Sequence, residues 1–212
     1  MRASPPALVD HLVYVTSDVD RTTLDLAEAL GVELSAGGQH PAWGTRNALL
    51  ALGPRSYLEV MGPEPKLTKP GLVRPFGIDR LGRPHLATWV ARSGDLGAIV
   101  EAGRRAGVDM GAIVSGSRTR ADGSVLSWSM TDLMAYREGG VVPYFIDWGH
   151  SPHPAESAPQ GCALVELEAE HPDPPRILSI MGALGLDLAV DRGPGFRLKA
   201  LVRSRKGMVE LD

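Results

Sequence analysis

One arrangement constrains this chain more than any other: Asp10-His11-Leu12-Val13-Tyr14-Val15, then Ser17-Asp18, then the run Val19–Leu30. A histidine opens an apolar, β-branched segment that reads as a buried strand. Ser17 or Asp18 can accept a free amide proton at the start of a helix. Leu24, Leu26, Ala27 and Leu30 then supply an apolar stripe, and Gly31 is placed to end it. The same order recurs at Pro84-His85-Leu86-Ala87-Thr88-Trp89-Val90, followed by Ser93-Gly94-Asp95 and a helical run to Ala106. A version without the histidine begins at Cys162-Ala163-Leu164-Val165-Glu166-Leu167. A repeat of one supersecondary unit limits the fold before any motif is considered.

In the first copy, Val32-Glu33-Leu34 reads as a short second strand, 37–44 as a turn-rich loop, and 47–52 and 57–61 as two more strands. The unit is therefore β-α-β-β-β. Prolines and glycines over 64–83 mark a connector. The second copy has strands at 85–90, 108–118, 125–130 and 141–148, a helix at 95–106, and a hairpin signal at Arg120-Ala121-Asp122-Gly123. After a second proline-rich connector, the third copy reads as strands at 163–168, 186–190, 196–203 and 208–211 around a helix at 174–184. The expected class is α+β. Its units are a first module at 8–62, a connector at 63–83, a second module at 84–149, a connector at 150–160 and a third, degenerate module at 161–212.

Composition narrows the function classes. A chain of 212 residues can bury roughly 70% of its unfolded surface. A net charge of -3 gives no basic face for nucleic acid, and 5% aromatic residues give few stacking platforms. The lone Cys162 excludes an internal disulfide and a Cys-rich zinc site, which suits a reducing compartment. No apolar run of membrane-spanning length and no charged-then-apolar leader stands out, so the expectation is a soluble, cytoplasmic protein. Gly-Xaa-Ser-Xaa-Gly, Gly-Xaa4-Gly-Lys and His-Glu-Xaa2-His are all missing from the sequence.

Strand alternation then sorts the chemistry-bearing residues. His11, Val13 and Val15 share one face, and Leu12 and Tyr14 the other. Glu59 shares a face with Met61, opposite Leu58 and Val60. If the apolar pair packs beneath the helix, Glu59 looks into the concave side of the sheet. An imidazole and a carboxylate there suit Zn, Fe, Ni or Mn. The plainer reading is a strand-edge histidine on a loop carbonyl and a solvated glutamate. His40 and Trp43 fall in the glycine-rich loop, where His40 either meets a ligand and moves a proton or is simply exposed. Asn47 either bonds a substrate carbonyl or closes an Asx-turn. Trp89 and Trp128 read as core. His150 and His153, in the proline-rich connector, read as solvated, and His171 as a surface residue before a helix.

A tandem β-α-β-β-β module with a histidine opening the first strand and a glutamate in the fourth resembles the vicinal oxygen chelate superfamily. Within it, the chain is most similar to the glyoxalase-like domain proteins. The closer resemblance rests on residues 10–15, on Gly38-Gln39-His40-Pro41 with Gly44-Thr45-Arg46-Asn47-Ala48-Leu49-Leu50, on Tyr57-Leu58-Glu59-Val60, and on Pro143-Tyr144-Phe145-Ile146-Asp147-Trp148-Gly149. It implies curled mixed sheets forming a half-barrel cup with helices outside. It also implies an enzyme acting on vicinal oxygens of a carbonyl, enediol or catechol-like substrate, as a lyase, isomerase or dioxygenase. A divalent ion would rest on His11, Glu59 and His85. Glu59 and His40 would be the catalytic proton carriers, with Trp43, Asn47 and Asp147 against the substrate. The fourth ligand is the weak point. Aligning 57–62 on 144–149 sets Ile146, not Asp147, opposite Glu59, and a one-residue offset turns a side chain to the other face. Glu210 aligns better, yet its module has Ala163 where the histidine belongs. A metal-free module that sequesters a small molecule in the same cup is the alternative. The third is a partner-binding protein whose odd module meets another chain, as in a homodimer.

Overall fold

Apolar alternation and local caps build each unit. Strand β1 (Val9–Val15) is buried along almost its whole length. Helix α1 (Val19–Leu30) starts where the Asp18 side chain accepts the Arg21 amide proton, and it stops at Gly31, whose φ of 68° suits a residue without a Cβ. Strands β2 (Ser35–His40), β3 (Thr45–Gly53) and β4 (Ser56–Pro63) follow. The second unit supplies β5 (His85–Arg92), α2 (Leu96–Arg105), β6 (Ile113–Thr119), β7 (Val125–Thr131) and β8 (Tyr144–Asp147). This computed structural model describes residues 8–119, 125–135 and 137–212. The hairpin signal at 120–123 lies outside the described residues.

In each of these two units the first strand pairs in parallel with the last, β1 with β4 and β5 with β8. The two first strands then pair with each other, antiparallel. The result is one eight-stranded mixed sheet, β2-β3-β4-β1-β5-β8-β7-β6, curled into a half-barrel. The curl brings its two edges together: a Cβ on Gly38 of β2 would lie 3.1 Å from Cδ of Arg118 on β6.

The second strand departs from the sequence reading. It covers Ser35–His40 rather than 32–34, through residues whose glycines lower strand propensity. Packing overrides that preference. A Cβ on Gly37 would come within 2.2 Å of Asn47 Oδ1 on β3, so glycine there permits a close approach of the two strands.

The third unit contains β9 (Ala163–His171), α3 (Pro174–Ala183), β10 (Ala189–Arg192), β11 (Arg197–Ser204) and β12 (Gly207–Leu211). Its element order repeats the other two, but its pairing does not. Strand β9 pairs in parallel with β10, the strand directly after the helix, giving a separate sheet β10-β9-β11-β12.

The sheet faces divide the apolar residues. Leu12, Leu58, Val60 and Trp89 point away from the cup, into a core shared with Leu26 and Leu30 of α1 and with Leu167, Ile177 and Val202 of the third unit. The Trp89 indole, fully buried there, donates to the Val141 carbonyl at 2.9 Å, so its polar atom is satisfied. On the concave side Val13, Met61, Val90, Met130 and Ile146 form a second cluster. Trp128 packs against this concave cluster, not within the shared core.

Candidate functional site

The parallel register of β1 on β4 sets His11 beside Tyr57 and Val13 beside Glu59. His11, Val13 and Val15 of β1 and Tyr57, Glu59 and Met61 of β4 therefore look into the cup, as alternation from His11 onward requires. His11, Glu59, Tyr57, Asn47, His40 and Trp43 line a cavity there, with Trp128, Trp148 and Ile146 among the facing walls. The cavity is narrow: about 40 Å³ is open to water, within about 510 Å³ of empty space counted out to the mouth.

Behind the cavity wall sits Asp10, 1% exposed. The β1–β5 register slips between Val9 and His11, and this bulge at Asp10 breaks strict alternation, so Asp10 and His11 serve one site. His11 Nδ1 lies 2.8 Å from Asp10 Oδ1. His153 Nε2 lies 3.2 Å from Asp10 Oδ2, and the Trp148 indole donates to both carboxylate oxygens at 3.3 and 3.2 Å. Burial works to raise the Asp10 carboxyl, but hydrogen bonds from His11 and His153 outweigh it and hold the group well below the usual carboxylate range. The His11 ring stacks on Tyr57, with centroids 4.5 Å apart and planes at 17°.

On its open side, His11 Nε2 faces Glu59 Oε2 at 3.6 Å. The other glutamate oxygen accepts from Asn47 Nδ2 at 2.5 Å, and Asn47 Oδ1 accepts from the Gly38 amide at 2.8 Å. Asn47 is thus committed to β2 and to Glu59, and no Asx-turn forms. His40, 8% exposed, is fixed through Nδ1 to Thr45 Oγ1 at 3.0 Å, and its ring meets Trp43 edge-on at 5.7 Å. Burial lowers the His40 pKa, and the charge of Glu59 pulls the other way. Burial also pushes the Tyr57 hydroxyl well above its ordinary value, which keeps it protonated.

The structure therefore gathers His11, Glu59, His40, Trp43 and Asn47 around one cavity. It does not bring His85 to them. Because β1 and β5 run antiparallel, equivalent positions fall at opposite ends of the pair: His85 stands beside Val15, and His11 beside Val90. His85 is half-buried and bonds the Arg83 carbonyl at 3.2 Å. Asp147 also lies off the cavity, its carboxylate turned back to the Gly149 amide, while Ile146 takes the inward position. Glu210 is exposed on β12, in the separate sheet. Among the described residues, no group of three or more His, Cys, Asp or Glu is placed to hold a metal ion.

Two histidines read as surface residues are buried. His153 is 5% exposed because a 3-10 turn, Pro154–Glu156, begins at it with a reciprocal capping box to Glu156. That turn gives a proline-rich connector a fixed geometry. His171 is 4% exposed at the end of β9, accepting from the Asp173 amide at 2.9 Å and facing Glu138 at 3.5 Å. Asp10 is the residue that sequence reasoning missed, because simple alternation turns it to the opposite face from His11.

Among solved structures, a hypothetical protein from Staphylococcus aureus matches at 15% identity over 95% of this chain and 97% of its own, with a TM-score of 0.68. That likeness extends through the third unit and concerns the fold. A methylmalonyl-CoA epimerase from Mycobacterium tuberculosis matches at 19% identity over 74% of this chain and 97% of its own, with a TM-score of 0.45. No curated protein matches the chain. Among the described residues no helix is long and apolar enough to cross a membrane. The model of the glyoxalase-like domain matches residues 9–185, and the chain belongs to that family.

Proposed function

We propose that the cup is the active site of a small-molecule enzyme that moves a proton on a substrate carrying neighbouring oxygens, such as a hydroxycarbonyl compound or its enediol. One observation carries the reading: His11 Nε2 and Glu59 Oε2 face each other at 3.6 Å on the cavity wall, each held from behind. Asp10 holds the far nitrogen of His11, and Asn47 holds the far oxygen of Glu59.

In this scheme His11 Nε2 accepts a proton from the carbon next to the carbonyl, and the electron pair moves onto the carbonyl oxygen. The buried Asp10 carboxylate stabilises the imidazolium that results, as a carboxylate behind a catalytic histidine does elsewhere. His11 then returns the proton, to the same carbon or, once Glu59 has passed the hydroxyl proton to the former carbonyl oxygen, to the neighbouring one. Trp43, Trp128 and Trp148 keep bulk water from the enediol-like intermediate. His40, held neutral by burial, offers an uncharged imidazole to a substrate oxygen.

A divalent ion would find two converging donors here, His11 Nε2 and Glu59 Oε2, where catalytic zinc takes three protein ligands. Among the described residues the donors present do not fit such an ion. The rate is accordingly expected to survive dialysis against a chelator.

The test is proton exchange in deuterated water, followed by NMR, on a panel of small hydroxycarbonyl compounds. The wild type should exchange the carbon-bound proton, and His11→Ala should slow exchange by roughly 10²–10⁴-fold, the usual worth of a positioned base. Binding of these compounds with no exchange above buffer would overturn the reading in favour of sequestration.

A further inference from the structure

Proton positions at this site can be read inward from two backbone amides, whose donors cannot reverse. At one end the Ala155 amide donates to His153 Nδ1 at 3.2 Å, so the His153 proton is on Nε2 and points at Asp10 Oδ2. Asp10 also receives the Trp148 indole N–H, so both bonds cast it as an acceptor. An acceptor-only carboxylate takes the His11 proton at Nδ1 and leaves the lone pair on Nε2. At the other end the Gly38 amide donates to Asn47 Oδ1, which turns Asn47 Nδ2 toward Glu59 Oε1 and leaves Oε2 open. The two runs of hydrogen bonds meet between His11 Nε2 and Glu59 Oε2, where an acceptor stands on each side.

We infer that His153 is a positioning residue: acting through Asp10, it fixes the neutral His11 as the Nδ1-protonated tautomer and so makes Nε2 the acceptor that faces Glu59 and the cavity. The physical reason lies in the burial of Asp10. A carboxylate 1% exposed has no bulk water to complete its shell, so its orientation rests on the donors that surround it. Without the His153 donor, Oδ2 keeps only the long Trp148 bond, the carboxylate is free to turn, and Oδ1 no longer holds the proton on His11 Nδ1. The His11 proton then moves to Nε2, and the acceptor facing Glu59 is lost. His153 is suited to the task by rigidity. Its turn is capped at both ends of the box, and its ring meets Tyr57 and Trp148 edge-on at 5.6 and 5.9 Å.

The use of this tautomer in catalysis rests on the proposed function; the tautomer itself does not. The experiment is long-range proton–nitrogen correlation NMR of the full chain labelled with 15N-histidine, in the absence of ligand. In the wild type, His11 should show a pyrrole-type Nδ1 and a pyridine-type Nε2, and His153 the reverse. His153→Phe, which fills the site without a donor, should lose that His11 signature. His153→Gln, whose amide can donate to Asp10, should restore it. If His153→Phe does not fold, His153→Asn, too short to reach Asp10, is read in the same way. A purely structural role would lower the melting temperature and leave the tautomer in place. A His11 protonated on Nε2 in the wild type, or an unchanged His11 signature in the variant lacking the donor, overturns the inference. Absence of proton exchange with the stated tautomers intact would instead sink the proposed function alone.

Discussion

His11 and His85 open equivalent strands in the two units of the eight-stranded sheet, and they meet very different fates. His11 is 4% exposed, stacked on a tyrosine, bonded behind by Asp10 and opposed in front by Glu59. His85 is half-buried on the sheet's other end and bonds one nearby carbonyl. Their local sequences are alike, but His11 is the third residue of β1 and His85 the first of β5, at the opposite end of the antiparallel pair. The residue before each histidine differs too. Asp10 sits at a bulge and recruits donors from a distant segment. Pro84 offers no side-chain acceptor at all. A histidine becomes a site when something behind it decides which nitrogen is free.

The sharpest way to break this contrast is to remove the carboxylate. Asp10→Ala strips the acceptor from two imidazoles and an indole in a buried setting. It should destabilise the fold by about 3–5 kcal/mol in urea unfolding, the usual effect of breaking a buried charged cluster. A loss below about 1 kcal/mol would mean the network contributes little. Acid unfolding probes the same group more gently. Since the folded-state pKa of Asp10 lies below its unfolded value, its contribution is complete above the ordinary carboxylate range, near pH 4, and drains away as pH falls toward the folded value. Stability of the wild type should therefore drop more steeply in acid than that of Asp10→Asn.

Next in size is Gly37→Ala, on the other flank of the site. Its new methyl would meet Asn47 Oδ1 at 2.2 Å, so the β2–β3 approach must open. The expected cost is about 1–3 kcal/mol, with Glu59 losing its Asn47 partner. Smallest is His85→Ala, which should change stability by no more than about 0.5 kcal/mol and leave proton exchange at the wild-type rate. A large loss of exchange in this last variant would restore a joint role for the two histidines.

Much of this arrangement is legible in the sequence, and the rest is hidden for definite reasons. The concave placement of His11 and Glu59 follows from a period of two, as does the inward position of Ile146 in place of Asp147. The cup itself follows from the repeated unit. Asp10 escapes because a bulge cancels the alternation on which the reading depends, and because its donors Trp148 and His153 stand 138 and 143 residues away. Strand β2 escapes because Gly37 answers to space beside Asn47, and Gly38 to space beside Arg118, and not to strand propensity. The separation of His85 from His11 depends on the antiparallel direction of β1 against β5, which element order does not reveal. The third unit shows the same limit: its elements come in the expected order, yet β9 takes β10 as its parallel neighbour.

The capped turn that carries His153 also sets a timetable. All eight strands of the large sheet are complete by Asp147, six positions earlier in the chain. A polypeptide growing from its N-terminus can pair every one of those strands while the acid behind His11 still lacks two of its donors, Trp148 and His153. Closing a contact over 143 residues is also among the slower events available to a chain of this length. Shape is therefore expected to precede competence, with the His11 tautomer set among the last steps of folding.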